Sequence, residues 1–131
     1  MIVLDTHAWI WFVNNPRQLS AAARRAAEEA MSRRAIYISS ISAWEVALLA
    51  ASGRIELSIG VQDWIAGSET LPFFIFVPVD NAIFIRSVSL PGPLHSDPAD
   101  RIIIATAMMK GMPIVTKDEK IRNYSKVKTI W

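Results

Sequence analysis

Apolar residues recur along this chain as short unbroken runs that stop abruptly at polar residues. Met1-Ile-Val-Leu4 ends at Asp5, Ala35-Ile-Tyr-Ile-Ser39 runs into Ser40, and Met112-Pro-Ile-Val-Thr116 ends at Lys117-Asp118. Runs of this length, without alternation, fit strands buried on both faces, as in parallel sheets. The stretches between them carry helix signals, among them Ser20 as an N-cap and Gly53 and Gly111 as stops. The pattern predicts strands over 1–4, 35–39, 74–79, 113–116 and 127–131. It predicts helices over 7–14, 21–33, 43–52, 61–68, 80–88 and 98–110, and a short one from 118. Strands alternating with helices predict an α/β sandwich around a mainly parallel sheet.

Four carboxylates stand near strand–helix junctions in that scheme: Asp5, Glu45, Asp100 and Asp118. In open α/β sheets ligands bind beyond the carboxyl ends of the strands, so acids placed there share one edge. Each acid, taken singly, has a plainer reading. Ser42-Ala-Trp-Glu45 has the spacing of a capping box, and Asp97-Pro98 sets a helix start that leaves Asp100 in the first turn. Asp5 and Asp118 fit capping less well, because each follows an apolar strand directly. Four acids at one edge repel one another unless a cation neutralises them, and a divalent metal held by oxygen ligands is expected.

Composition narrows the chemistry. A chain of 131 residues, 52% hydrophobic, is long enough for one domain with a sizeable core. Cysteine is absent, which removes disulfides, thiolate metal sites and cysteine nucleophiles and suits a reducing cytoplasm. The N-terminus enters a strand at once and no apolar run nears the roughly 20 residues of a membrane span, so a soluble cytoplasmic protein with no membrane partner is expected. No glycine-rich phosphate loop occurs, and no nucleotide cofactor is expected. The net charge of +2 conceals an asymmetry. The last third is basic, with Arg101, Lys110, Lys117, Lys120, Arg122, Lys126 and Lys128 beside two of the acids. Alone this reads as a solvated face; next to a carboxylate metal site it points to a phosphate backbone. His7 reads as a structural residue of the first helix, and His95 either contacts substrate or orients Asp97. Most of Trp9, Trp11, Phe12, Trp44 and Trp64 read as core, Trp9 and Phe12 sharing a helical face. The helices 7–14 and 43–52 are apolar nearly all round, so an outward face there implies a homodimer or a bound peptide.

Several stretches resemble a known family. Leu4-Asp-Thr-His-Ala8, Ser39-Ser-Ile-Ser-Ala-Trp-Glu-Val46, Leu90-Pro-Gly-Pro-Leu-His-Ser-Asp-Pro-Ala-Asp-Arg101 and Ile114-Val-Thr-Lys-Asp118 are similar, in order and across essentially the whole chain, to the PIN-domain nucleases, specifically the VapC-like toxins of type II toxin–antitoxin systems. The resemblance implies a single PIN domain over residues 1–131 with a three-layer α/β/α architecture. It implies a metal-dependent endoribonuclease that hydrolyses RNA phosphodiester bonds to 5′-phosphate and 3′-hydroxyl ends, and a cognate antitoxin as partner. Asp5, Glu45, Asp100 and Asp118 match the family's acidic quartet around Mg²⁺ or Mn²⁺, and Thr116 matches a supporting hydroxyl. Asp5 and Asp100 are expected as direct ligands, Asp118 as a direct or water-mediated one, and Glu45 as a water-mediated ligand or an orienter of the attacking water. Asp97 recurs in this subfamily as an outer helper. Ala99 departs from the pattern, since relatives usually carry an aromatic residue there, and this bears on local packing. Two alternatives remain. A phosphoacceptor receiver domain also gathers acids at strand ends, but it takes adjacent acids after its first strand, where this chain has Asp5-Thr6. A catalytically silent PIN-like binding module would not need an intact quartet.

Overall fold

The computed structural model describes all residues, Met1–Trp131. In chain order the elements are β1 (Ile2–Leu4), α1 (Thr6–Asn14), a 3-10 turn (Pro16–Gln18), α2 (Ala21–Ser32), β2 (Ile36–Ser39), α3 (Ser40–Ala51), α4 (Val61–Glu69), β3 (Phe74–Val77), α5 (Asn81–Val88), α6 (Pro98–Lys110), β4 (Ile114–Val115), α7 (Glu119–Arg122) and β5 (Thr129–Ile130). The five strands form one sheet in the order β3-β2-β1-β4-β5, and every pairing is parallel. The chain moves outward from β1 through β2 to β3, then returns to the other side of β1 with β4. The switch point of the sheet therefore lies between β1 and β4, whose ends carry Asp5 and lead to Asp118.

Strand alternation divides the core into two layers. Ile2, Leu4, Ile36, Ile38 and Val115 join Trp9, Ala23, Ala27, Val46 and Trp64 on one face of the sheet, the side of α1, α2 and α4. Val3 and Ile114 point the other way, into a cluster with Ile83, Ile103, Ile104 and Ile121 from α5, α6 and α7. Val3, Leu4, Ile36, Ile38, Ile114 and Val115 are fully buried. A sheet covered on both faces explains why its strands read as continuous apolar runs.

Several boundaries move, each for a local reason. β3 stops at Val77 rather than residue 79 because Pro78 has no N–H to donate to the ladder. The 3-10 turn was not foreseen; it begins at Pro16, whose fixed φ suits a first helical position. β4 and β5 are two residues each, shorter than the predicted runs. Helix α3 starts at Ser40, three residues early, because the Ser39 hydroxyl accepts the Ile41 N–H at 3.2 Å and caps the helix directly at the strand end. Gly53 and Gly111 follow their helices in the left-handed region, with φ of 73° and 65°.

Candidate active site

The first acid is fixed by its own helix. Asp5 is the N-cap of α1, its Oδ1 accepting the Ala8 N–H at 2.9 Å. Its Oδ2 accepts a hydrogen bond from the Thr116 hydroxyl, and that same hydroxyl accepts the Asp118 N–H at 3.0 Å. Thr116 thus ties the end of β1 to the end of β4. Asp118 caps α7 in turn, accepting from Lys120 N at 2.8 Å and Ile121 N at 3.3 Å. The two acids expected to fit capping less well are therefore both N-caps. Capping spends one carboxylate oxygen of Asp118 and leaves the other outside the cap bonds.

Glu45 is the reverse case. The early start of α3 places it in the second turn, so the capping-box reading of Ser42 to Glu45 does not hold. Its carboxylate is instead held from another element: the Thr6 hydroxyl donates to Glu45 Oε1 at 2.5 Å, and Thr6 Oγ1 lies 2.9 Å from Ser42 Oγ. Thr6 and Ser42, both buried, were missed as site residues. The usable signals were the hydroxyl directly after Asp5 and the Ser42/Glu45 spacing of three, which shares a helix face.

Asp100 lies in the first turn of α6, as expected, with its N–H bonded to the Asp97 carboxylate at 2.9 Å. Asp97 is the N-cap and Pro98 the first helical residue. His95 does not orient Asp97. Its Nε2 lies 2.7 Å from Asp100 Oδ2.

These side chains share one open cleft of about 580 Å³, lined by Asp5, Glu45, Asp97, Asp100 and Asp118 and also by Thr6, His7, Trp11, Leu49, Arg54 and Lys117. Burial pushes the Asp5 carboxyl up from 3.8 to about 7, against the Thr116 and Ala8 hydrogen bonds, while Asp100 and Asp118 push it further up. Burial also raises Glu45, opposed by Thr6 and helped by the charges of Asp100 and Asp97. Asp100 rises for the same first reason, with the His95 hydrogen bond opposing and Asp97 and Asp118 adding. The acids thus sit in each other's field without compensation. Arg33–Glu29, far out on the surface, is the ion pair between charged side chains; His95 meets Asp100 through a ring nitrogen, and neither Lys117 nor Arg54 pairs with an acid across the cleft. Carboxylate oxygens under mutual repulsion are a donor set for a hard divalent cation. No three acidic or histidine side chains converge tightly enough to hold an ion by themselves. Mg²⁺ takes one or two carboxylates and completes its shell with waters and phosphate oxygens.

The tryptophans divide as expected between core and surface. Trp9 is fully buried, its ring centroid 4.8 Å from that of Trp64 at a tilt of 48°, and donates to Ser68 Oγ at 3.2 Å. Trp44 is 55% exposed and Leu48 48% exposed, one turn apart on the helix that carries Glu45. No helix is long and apolar enough to cross a membrane.

Comparison with known proteins places this geometry. The PIN-domain pattern matches residues 2–127. Ribonuclease VapC22 of Mycobacterium tuberculosis is 34% identical over 99% of this chain and 98% of its own length. Among solved structures, VapBC2 from Rickettsia felis, bound to a DNA fragment from its promoter, is similar with a TM-score of 0.68, 16% identity and coverage of 98% of this chain and 97% of that one. FitAcB from Neisseria gonorrhoeae superposes with a TM-score of 0.66 at 21% identity, covering 98% of this chain and 96% of that one.

Proposed function

From the premise that this chain belongs to the PIN-domain family, within its VapC ribonucleases, we propose that it hydrolyses RNA phosphodiester bonds with a divalent cation, Mg²⁺ or Mn²⁺, as the toxin of a type II toxin–antitoxin module in the cytoplasm. The observation that carries the reading is the meeting of Asp5, Glu45, Asp100 and Asp118 in one cleft, with no lysine or arginine in a salt bridge to any of them. The whole chain, residues 1–131, acts as one PIN domain.

Asp5 and Asp100 would hold the cation, with Asp118 beside them binding directly or through water. When bound, the cation supplies positive charge to the phosphate oxygens and lowers the pKa of a neighbouring water. Glu45, held by Thr6, whose hydroxyl in turn meets Ser42, orients the attacking water or binds the ion through one. Thr116 holds Asp5 and Asp118 in mutual register. Arg54 and Lys117 line the same cleft without an acidic partner and are placed to take the phosphates on either side of the scissile one. RNA reaches such a cleft most easily as an unpaired segment, whose backbone can bend and whose bases can splay.

Partners follow from the exposed apolar side chains. Trp44 and Leu48 on α3 form the face for an antitoxin helix, which brings a basic side chain toward the nearby acids. Trp9, being core, takes no part in that contact. Phe84, Ile85 and Val88, exposed on α5, supply the apolar surface of the homodimer.

End mapping tests the chemistry. Cleaved RNA should carry 5′-phosphate and 3′-hydroxyl ends, and chelation should stop the reaction. A 2′,3′-cyclic phosphate product formed in chelator would mean that the RNA's own 2′-hydroxyl is the nucleophile and that the acids have another use.

A further inference from the structure

Asp100 is held on its outer side by a histidine that has no other polar partner. His95 Nε2 meets Asp100 Oδ2 at 2.7 Å, while His95 Nδ1 is buried with no hydrogen bond at all. A neutral imidazole donates through one nitrogen and accepts through the other, so with Asp100 ionised the donor is Nε2–H and the lone pair on Nδ1 is left over. A buried polar atom without a partner is uncommon and calls for a reason. Here the ring's single hydrogen bond goes to a proposed metal ligand.

The loop that presents His95 is pinned by Arg101, the residue after Asp100. Arg101 Nε donates to Ser87 O at 2.8 Å, Nη2 lies 3.4 Å from Val88 O, and Nη1 lies 3.4 Å from Leu94 O and 3.3 Å from His95 O. One guanidinium therefore gathers carbonyls from the last turn of α5 and from Leu94 and His95 in the following loop. A cation is favoured there, because the final carbonyls of α5 lack intrahelical partners. Tyr124 adds a second pin through its hydroxyl, which donates to Pro91 O at 2.6 Å.

We propose that His95 and Arg101 are positioning residues for Asp100: Arg101 fixes the loop after α5, and His95, carried on it, occupies Asp100 Oδ2 so that the other carboxylate oxygen is the one turned toward the cation. The inference rests on Asp100 being a metal ligand. Hydrogen-bonded partners of this kind set the orientation of a ligand, and their loss typically weakens metal binding or activity about 10- to 100-fold. Asp5 is oriented in a comparable way by Thr116. Neither His95 nor Arg101 lines the cleft.

The test uses the full chain and Mn²⁺ alone as probe, read by electron paramagnetic resonance without RNA, beside cleavage kinetics. His95→Ala should weaken Mn²⁺ about tenfold and lower kcat with little change in KM. His95→Gln, whose amide can donate to Asp100, should recover most of both. In metal-free wild type, ¹⁵N NMR of the ring should show the proton on Nε2, and Arg101→Lys should broaden that signal while weakening Mn²⁺ less than His95→Ala does. Asp100→Asn separates the two levels of inference. If it abolishes Mn²⁺ binding while His95→Ala binds like wild type, the positioning role is overturned and the metal site stands. If Asp100→Asn binds Mn²⁺ like wild type, the metal-ligand reading and the positioning role fall together. A His95→Gln variant as weak as His95→Ala also overturns the role, since the donor would then not be what matters.

Discussion

Asp5 decides how stability depends on pH. Its carboxyl is raised from 3.8 to about 7 by burial, so the folded chain retains a proton that the unfolded chain releases. The contribution of Asp5 to the stability of the metal-free protein is fully present below about pH 4, falls as pH climbs, and is lost above about 7. At about 1.4 kcal/mol per pH unit the whole fall is roughly 4 kcal/mol. Glu45 and Asp100, also raised, act in the same direction. The metal-free melting temperature should therefore drop between about pH 5 and pH 7.5, and Mn²⁺ should restore it most at the higher pH, because the ion takes the ionised form. Asp5→Asn should flatten this profile and stabilise the metal-free protein at pH 8 by on the order of 2 kcal/mol, less than the full amount because the amide fits the Thr116 contact less well. Thermal melts across pH, with and without Mn²⁺, check both. Asp5, Asp100 and Asp118 were legible in the sequence because each sits beside a strand end or helix start, whereas Glu45 lies in the second turn of α3 and was reached through a capping box that the structure does not form. Of their supports, Thr116 was named only through the family resemblance and Thr6 not at all: Thr6 reaches Glu45 across 39 positions and Thr116 reaches Asp5 across 111, separations to which no local spacing points.

At the scale of elements, the apolar runs revealed all five strands and the 3.6-residue pattern all seven helices, since burial on both sheet faces forces that grammar. What escaped was how tightly strands hand over to helices. Asp5 and Ser39 cap α1 and α3 with no intervening loop, and Asp118 caps α7 after only two residues, so one side chain serves both the fold and the site edge. Strand order was equally hidden, because nothing local shows that β4 pairs with β1. Trp9 is the keystone of the α1 side: fully buried, tilted against Trp64 and edge-on to Phe76 at 5.5 Å. Trp9→Ala should cost about 3–5 kcal/mol through the cavity it opens, whereas Trp44→Ala, at an exposed position, should stay within about 0.5 kcal/mol. Chemical denaturation of both variants measures the contrast, and equal losses would contradict this division of the tryptophans.

For the whole molecule, the acidic site is a single cleft, where Lys117 from the basic last third and Arg54 from the segment after α3 stand among five carboxylates. RNA binding there should depend on salt, and Arg54→Ala or Lys117→Ala should each raise KM while lowering the slope of log affinity against log salt by about one. Filter binding to an uncleavable RNA over a salt series checks this, and an unchanged slope would move the RNA elsewhere on the surface. The exposed apolar patch on α5 predicts a dimer, so Val88→Glu should shift the mass measured by light scattering toward a monomer. The central claim is that the acids on the sheet edge cleave RNA with a divalent cation, and the most direct measurement is single-turnover cleavage by wild type, Asp5→Asn and Asp100→Asn in Mg²⁺ and in chelator. The account predicts cleavage by wild type in Mg²⁺ alone, with each variant slowed at least about 100-fold while melting no lower than wild type. Wild-type rates from either folded variant, or undiminished cleavage in chelator, would contradict it.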